Sequence, residues 1–500
     1  MAGAVDPGRR HARLAELITE YEVPGASLAF LHEGEVHEFA AGVLNVETGV
    51  ETTTDSLFQI GSVTKVWTAT QIMLLVERGE LTLDTPVAEV LPEFRVADPE
   101  VTKAVTVRHL LSHTSGIDGD LFLDTGRGDD CIERYVEACA GLAQNHPLGV
   151  TQSYCNSGFI VAGRIVERLT GKGWDTALRE QIVEPLGLTH TWTLPEDVLR
   201  FRGAMGHLDG APAPAWGLMR SCGPAGLICA RPADVVAFAR AHLGTGLLAD
   251  PRAMWEPQVD IPNPHTLGKQ WGLGWILDEW QGRRIISHGG NTIGQAAMLW
   301  VVPDTETVVC VLANGGHTAA FQHALATELF DELIGLAVPP VLRPPGRAVR
   351  DRRRAVRRRV RADGQPDDAD GPRRRALAVR RGHRSPRRAA AAHGVRSGAG
   401  GRRHLRRPPG RRAAVVVGRV LRTRRRLAVH APGRARHPQG RLRSRRAWEP
   451  AAAFRRGGAA AGRCPVREGF DVRAFPASPV AQAGGVIGRA ARMAIDDLRE

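Results

Sequence analysis

The chain has 500 residues and a formal net charge of +14 at pH 7, and this charge is divided unevenly along it. Residues 1–340 hold 23 basic and 42 acidic side chains, whereas residues 341–500 hold 44 basic and 11 acidic ones. No apolar run approaches the roughly 18 residues of a membrane span, and the seven cysteines form no C-x-x-C pair. Neither a transmembrane segment nor a metal or disulfide framework is therefore predicted. The N-terminus lacks the apolar stretch of a secretory signal, so we expect a cytoplasmic protein.

The first 60 residues predict a helix, a β-hairpin and a short extended segment. Asp6-Pro7 is typical of a helix start, and apolar side chains follow it at helical spacing. Residues 26–31 and 35–40 predict two strands joined by a tight turn. Residues 56–60 are apolar and lead into the next helix.

The stretch Ser62-Val63-Thr64-Lys65 stands at the start of an apolar run over residues 66–76. This run predicts a core helix, and side chains three residues apart lie on one helix face, about 5–6 Å apart at Cβ. The ammonium of Lys65 can then reach the hydroxyl of Ser62, which needs an adjacent base or cation to become a nucleophile. Taken alone, the S-x-x-K spacing is weak evidence, because it also fits an exposed serine beside a solvated lysine.

The following segments predict a loop, several helices and a closing group of strands. Residues 81–105 contain three prolines and predict a loop. His113 follows a short helix, and we interpret it as a packing or turn-stabilising residue rather than a catalytic one. Tyr154-x-Asn156 begins another helix. Further predicted helices cover residues 132–142, 174–183, 232–243 and 321–336, and predicted strands cover residues 271–277, 284–287, 296–302 and 307–313. Strands near both ends predict an α/β domain whose sheet is built from both termini.

Three motifs, separated by about 90 and about 130 residues, combine into a more specific pattern. They are Ser62-x-x-Lys65, Tyr154-x-Asn156 and His288-Gly289-Gly290. Their order and spacing resemble the serine β-lactamase and penicillin-binding-protein superfamily, and within it the branch of class C β-lactamases, DD-carboxypeptidases and related esterases. Residues 110–116, 185–188 and 288–294 are also similar to stretches common in that branch. The resemblance covers residues 8–340 and implies an α/β, β-lactamase/transpeptidase-like fold, with an antiparallel sheet flanked by helices and a mainly helical subdomain.

The resemblance implies a covalent mechanism. Ser62 would attack an acyl carbonyl and form an acyl-enzyme, and Lys65 would favour its alkoxide. Tyr154 would act with Lys65 as proton acceptor and donor, since a phenol with a pKa of about 10 needs a nearby cation to serve as base at neutral pH. Asn156 would offer its amide to the substrate, and the backbone N–H groups of Ser62 and Asn291 would form an oxyanion hole. Taken singly, the tyrosine could instead be a buried residue with a satisfied hydroxyl, and the asparagine a helix cap.

The third motif departs from most β-lactamases, which have Lys where His288 stands; many esterase-like relatives tolerate His there. A histidine with a pKa of about 6.5 is mostly neutral at pH 7.5, so attraction for a substrate carboxylate should be weak and should grow as the pH falls. Gly289 and Gly290 have no side chains to block a substrate lying along the strand. We assign all three residues to substrate binding. The expected activity is an esterase-like serine hydrolase, with a β-lactamase or DD-carboxypeptidase as the alternative.

Residues 341–500 predict a separate region. They contain no Lys, Asn or Tyr and are dominated by Arg, Ala, Gly and Pro, a composition that cannot bury enough apolar surface to fold. The region is therefore predicted to be disordered. It could be a genuine basic tail that binds nucleic acid or a membrane surface. We favour a frameshifted translation of GC-rich DNA, because the missing residue types have AT-rich codons.

Two other kinds of protein fit the sequence less well than a serine hydrolase of this superfamily. The same fold could serve as a catalytically silent binding module, although the intact Ser62, Lys65 and Tyr154 set argues against it. An α/β-hydrolase is disfavoured because the chain has no G-x-S-x-G elbow. No metal or cofactor is expected. The expected partner is a small ester, amide or β-lactam substrate, and nucleic acid only if the basic tail is genuine.

Overall fold

A computed structural model describes residues 6–341 of the chain, apart from residue 266. The disorder, the frameshift and the nucleic-acid binding predicted for residues 341–500 concern a segment that, beyond its first residue, lies outside the described residues. They stay predictions, as does the division of the chain near residue 340. Within the described part of the chain, no helix has the length and apolar character needed to span a lipid bilayer.

The described chain begins with a helix and four strands, continues mainly as helices with short strands between some of them, and ends with six strands and a helix. The helices are α1 (Pro7–Glu20), α2 (Thr64–Glu77), α3 (Val87–Val90), α4 (Pro99–Ala104), α5 (Val107–Leu111), α6 (Cys131–Ala138), α7 (Asn156–Thr170), α8 (Trp174–Leu178), α9 (Pro195–Val198), α10 (Gly223–Gly226), α11 (Pro232–Arg240) and α12 (Thr318–Ile334). The strands are β1 (Gly25–His32), β2 (Glu35–Asn45), β3 (Val50–Glu51), β4 (Phe58–Gln59), β5 (Thr191–Trp192), β6 (His207–Leu208), β7 (Ala211–Pro212), β8 (Cys229–Ala230), β9 (Val259–Asp260), β10 (Gln270–Trp271), β11 (Ile276–Trp280), β12 (Arg283–Asn291), β13 (Ala296–Val302) and β14 (Thr307–Ala313).

The main sheet has nine strands in the order β3-β2-β1-β14-β13-β12-β11-β10-β9. Neighbouring strands are antiparallel, and β1 pairs with β14 in a register that places Ala26 opposite Ala313. The first strand of the described chain therefore lies beside the last one. This confirms the predicted antiparallel sheet built from both termini.

Helices cover both faces of this sheet. Side chains alternate between the faces of a strand, so Leu28 and Phe30 of β1 pack in a cluster with α1 and α12. Ala29 and Leu31 belong to the other cluster, which contains α2 and most of the helical segments between β4 and β9. Fully burying one Leu or Phe side chain contributes about 1.5–3 kcal/mol. The layered arrangement therefore stabilises α2 in the interior, where the catalytic motif was predicted.

Helix α2 is the predicted core helix. Its residues are buried continuously from Thr64 to Leu75, and Trp67 stacks on Phe238 of α11 with ring centroids 3.7 Å apart. A single 3₁₀ turn, Gly61–Val63, precedes it. The buried helix thus fixes Ser62 at its N-terminal end.

The strand predicted over residues 271–277 is wrong, because this segment is a hairpin. β10 and β11 pair antiparallel, with Trp271 opposite Ile276. Between them Gly274 has φ +79°, and a Cβ on it would lie 2.8 Å from the Cβ of Ala69 in α2. A left-handed turn packed this closely on a helix requires glycine, and it interrupts what the apolar pattern indicated as one strand.

The loop predicted over residues 81–105 is only partly a loop, since it contains α3 and α4. The side chain of Asp98 caps α4 by accepting hydrogen bonds from the backbone N–H groups of Glu100 at 2.8 Å and Val101 at 3.3 Å. Pro99 follows at the first helical position, where a missing N–H has no consequence. Pro86, which precedes α3, and Pro99, which begins α4, therefore lead into short helices instead of excluding them.

Candidate active site

The backbone around Ser62 packs directly against strand β12. A Cβ on Gly290 would lie 2.0 Å from the carbonyl oxygen of Ile60 and 2.8 Å from the backbone nitrogen of Ser62. A Cβ on Gly61, which has φ +50°, would lie 2.8 Å from the backbone nitrogen of Asn291. The two backbone N–H groups predicted to form an oxyanion hole therefore belong to segments in close contact.

These distances change the explanation given for the two glycines of the third motif. Gly290 is required because the strand and the Ser62 turn touch at this position, so it does not leave open space for a substrate. A Cβ on Gly289 would point away from the turn, towards the Sδ atom of Met298 at 3.2 Å. If both residues bind substrate, they do so through their backbone.

Lys65 is fully buried and touches the candidate nucleophile. Its Nζ atom lies 2.9 Å from Oγ of Ser62 and donates a hydrogen bond to the carbonyl oxygen of Ala225 at 2.8 Å. Burial lowers the pKa of Lys65 to about 7, although the negative charge of Asp120 opposes this change. The side chain is therefore divided between its neutral and protonated forms near neutral pH.

Tyr154 completes the contact between the first two motifs. Nζ of Lys65 lies 4.9 Å from the centroid of its ring. Withdrawal from water raises the pKa of Tyr154 above its ordinary value, and the neighbouring Ser62 side chain offsets this only in part. The raised pKa favours the protonated phenol at neutral pH, and the role of Tyr154 as a proton acceptor stays a prediction.

Asn156 is the first residue of α7 and is half-buried. Its Nδ2 atom lies 3.4 Å from Oδ1 of Asp120, so its amide is placed beside a carboxylate. The cap of this helix is Cys155, whose Sγ atom accepts a hydrogen bond from the backbone N–H of Gly158 at 3.2 Å. The alternative role of Asn156 as the helix cap is therefore wrong.

His288 lies in β12 with only 2% of its surface exposed. Its Nδ1 atom is 2.6 Å from the carbonyl oxygen of Gly289, and burial together with the charge of Lys65 lowers its pKa to about 3. The ring is therefore neutral at every pH at which the enzyme would be assayed. The expected growth of carboxylate attraction near pH 6.5 is thus wrong, because that value belongs to a histidine in water.

The structure also places groups at the site that sequence reasoning did not assign to it. Trp271 is fully buried, and its ring lies edge-on to Tyr154 at a centroid distance of 5.7 Å. The carbonyl of Ala225 holds Lys65 by a main-chain contact, which has no sequence signature. Among the described residues, no group of three or more His, Cys, Asp or Glu side chains could hold a metal ion.

Comparison with known proteins identifies the family of this chain. A family model described as Beta-lactamase matches residues 11–333. Penicillin-binding protein 4 of Amycolatopsis lactamdurans is 49% identical over 349 residues, which cover 67% of this chain and 92% of that protein. Esterase EstB of Burkholderia gladioli is 31% identical over 222 residues, which cover 41% of this chain and 56% of the esterase. The solved structure of the D-amino acid amidase from Ochrobactrum anthropi SV3, complexed with L-phenylalanine amide, is 25% identical with a TM-score of 0.53, covering 62% of this chain and 92% of the amidase.

These similarities confirm the family and the fold class expected from the three motifs. The fold is β-lactamase/transpeptidase-like, with an antiparallel sheet and flanking helices. Members of this family are serine hydrolases. The chain therefore belongs to the β-lactamase family and is a serine hydrolase.

Proposed function

We propose that this enzyme hydrolyses small uncharged esters or amides through an acyl-enzyme on Ser62. The observation that supports this most directly is the 2.9 Å contact between Nζ of Lys65 and Oγ of Ser62, made by a lysine whose pKa is lowered to about 7. An amine that is about half neutral at pH 7 can accept the serine proton, whereas a lysine in water is almost fully protonated.

Each group enters the proposed reaction in one defined protonation state. Oγ of Ser62 attacks the carbonyl carbon while its proton passes to the neutral amine of Lys65. The backbone N–H groups of Ser62 and Asn291 stabilise the resulting oxyanion. Removal of one such donor from an oxyanion hole typically lowers kcat by a factor of about 10²–10³. Tyr154, which is protonated, gives its proton to the departing alkoxide or amine and regains one from the lysine. Water then hydrolyses the acyl-enzyme by the reverse transfers.

The preference for uncharged substrates follows from His288. A lysine at this position would place a cation beside the substrate, suited to the carboxylate of a penicillin or a peptide C-terminus. The imidazole here is neutral, with a pKa of about 3, and Asp120 contributes a carboxylate next to Asn156. Neither group attracts an anionic substrate, so an ester or amide without a carboxylate is the better match.

Penicillin binding is a second candidate, and one observation favours it. The relative with 49% identity, which this chain matches over 92% of its length, is named penicillin-binding protein 4. In that case a β-lactam would acylate Ser62 and the acyl-enzyme would persist, as expected for a DD-carboxypeptidase-like protein. A β-lactamase would instead release the opened ring rapidly.

Mass spectrometry of the intact protein separates these functions. The wild-type chain is incubated with a fluorophosphonate, a penicillin or a short-chain nitrophenyl ester, alongside Ser62→Ala and the control variant Thr48→Ala, which removes an exposed hydroxyl. The fluorophosphonate should add one label to the wild type and to Thr48→Ala, and none to Ser62→Ala. Labelling of Ser62→Ala would exclude this nucleophile, and faster turnover of the penicillin than of the nitrophenyl ester at pH 7.5 would exclude the preference for esters.

A further inference from the structure

His113 combines full burial with an unusual backbone conformation. It has φ +57° and no exposed surface. The other described non-glycine residues with positive φ lie in exposed positions: Glu22, Glu33, Asp209, Gln281 and Glu306. A residue held in this conformation inside the core requires compensating contacts.

The contacts of His113 hold the two neighbours of Tyr154. Its carbonyl oxygen accepts a hydrogen bond from the backbone N–H of Ser153 at 2.8 Å. Its Nδ1 atom accepts another from the backbone N–H of Cys155 at 2.9 Å. The residues immediately before and after the tyrosine are thus both bonded to one histidine. The imidazole itself packs on the Tyr154 ring, with centroids 4.3 Å apart and a tilt of 33°.

The imidazole is in turn fixed from its other sides. The ring of Trp271 contacts it edge-on at 4.6 Å, and the ring of Phe159 lies at 5.0 Å. Because Nδ1 accepts a hydrogen bond, the ring must be neutral with its proton on Nε2. Burial, together with the nearby charge of Lys65, lowers the pKa of His113 well below its ordinary value, which keeps it in this form.

We propose that His113 is a positioning residue that holds the Tyr154 hydroxyl at Ser62 through the two backbone contacts and the ring contact. This rests on the proposed function, in which Tyr154 protonates the leaving group. A misplacement of about 1 Å in a reacting group can cost on the order of 10² in rate. The effect of His113 should therefore depend on how strongly the leaving group needs a proton.

Two substitutions that both tolerate positive φ test this in the full chain. His113→Gly removes both the acceptor and the ring, whereas His113→Asn keeps an acceptor oxygen near the position of Nδ1. Acylation is measured as kcat/KM on ethyl acetate, whose alkoxide needs a proton, and on nitrophenyl acetate, whose phenolate leaves without one. His113→Gly should lose about 10²-fold on ethyl acetate and less than about fivefold on nitrophenyl acetate. His113→Asn should recover most of the ethyl acetate activity.

The same substitutions in a Tyr154→Phe background test whether His113 acts through the Tyr154 hydroxyl. With the tyrosine hydroxyl absent, His113→Gly should cost less than about twofold, because it then positions nothing. Equal losses on both esters, or an undiminished loss in the Tyr154→Phe background, would overturn the proposal. If His113→Gly does not fold, the same comparison is made with His113→Ala, which also lacks both the acceptor and the ring. A failure of the proposed function would look different, since Ser62→Ala would then retain ester turnover.

Discussion

Raising the pH from 6 to 8 should increase kcat/KM for a neutral ester about tenfold, with a midpoint near pH 7. Loss of water lowers the pKa of Lys65 from 10.5 to about 7, so the neutral fraction rises from about one tenth to about nine tenths over this interval. An unshifted lysine would be neutral in only about one molecule in 3,000 at pH 7. The burial of this single side chain is therefore what permits general-base catalysis at neutral pH.

The assay is the pH dependence of kcat/KM, which reports groups of the free enzyme. Asp120→Asn supplies an independent perturbation, because the charge of Asp120 raises the pKa of Lys65; its removal should move the midpoint to lower pH. Asp304→Asn, in the exposed turn between β13 and β14, is the matched control and should leave the midpoint unchanged. A flat profile between pH 5.5 and 8.5, or a midpoint that rises in Asp120→Asn, would refute the assignment of Lys65 as the proton acceptor.

Three further outcomes are expected from the packing. Gly290→Ala should lower kcat/KM by about 10²-fold or more, since its Cβ would lie 2.0 Å from the carbonyl oxygen of Ile60. The control Gly141→Ala, whose Cβ would have no atom within 4 Å, should stay within about threefold of wild type, and equal losses would contradict the contact. Burial lowers the pKa of three fully buried histidines: His242 to about 4, His288 to about 3 and His113 well below its ordinary value. Below pH 6.5 and above pH 4, the unfolded state therefore binds about three more protons on these residues. Their contribution to the free energy of unfolding, measured in urea, should fall by about 4 kcal/mol per pH unit there, and each His→Gln variant should reduce this slope by about one third. Removal of residues 342–500 should leave kcat/KM on the same ester unchanged, and loss of soluble protein would contradict this.

The sequence predicted those parts of the fold and site that depend on local pattern. The run after Ser62 is apolar on every face, and such a helix can only be stable inside a core, where α2 is found. The S-x-x-K spacing places two side chains on one helical turn whatever surrounds them, and the structure has Lys65 in contact with Ser62. Both predictions needed only the helical repeat.

The predictions that failed depended on packing between distant segments. The chain turns at Gly274, between β10 and β11, where α2 lies against it, and nothing in residues 271–277 contains that information. The role of Gly290 likewise depends on the approach of Ile60. The protonation of His288 was misjudged for the same reason, since the amount of water that a group loses is set by the tertiary structure and not by its neighbours in sequence.

Loss of water acts on the site as a whole and explains its chemistry. Burial disfavours the charged form of every group, so it lowers the pKa of Lys65 and His288 and raises that of Tyr154. Near pH 7 the serine, the phenol and both imidazoles are uncharged, and the lysine is neutral in about half of the molecules. Charge then develops mainly when Ser62 attacks, as an ammonium on the lysine and an oxyanion beside two backbone N–H groups. Because a low dielectric strengthens the attraction between these opposite charges, the interaction favours the transition state over a neutral bound ester. A substrate that carried its own carboxylate would bring charge into the ground state and lose part of this difference, which is the physical basis for expecting neutral esters and amides to be the better substrates.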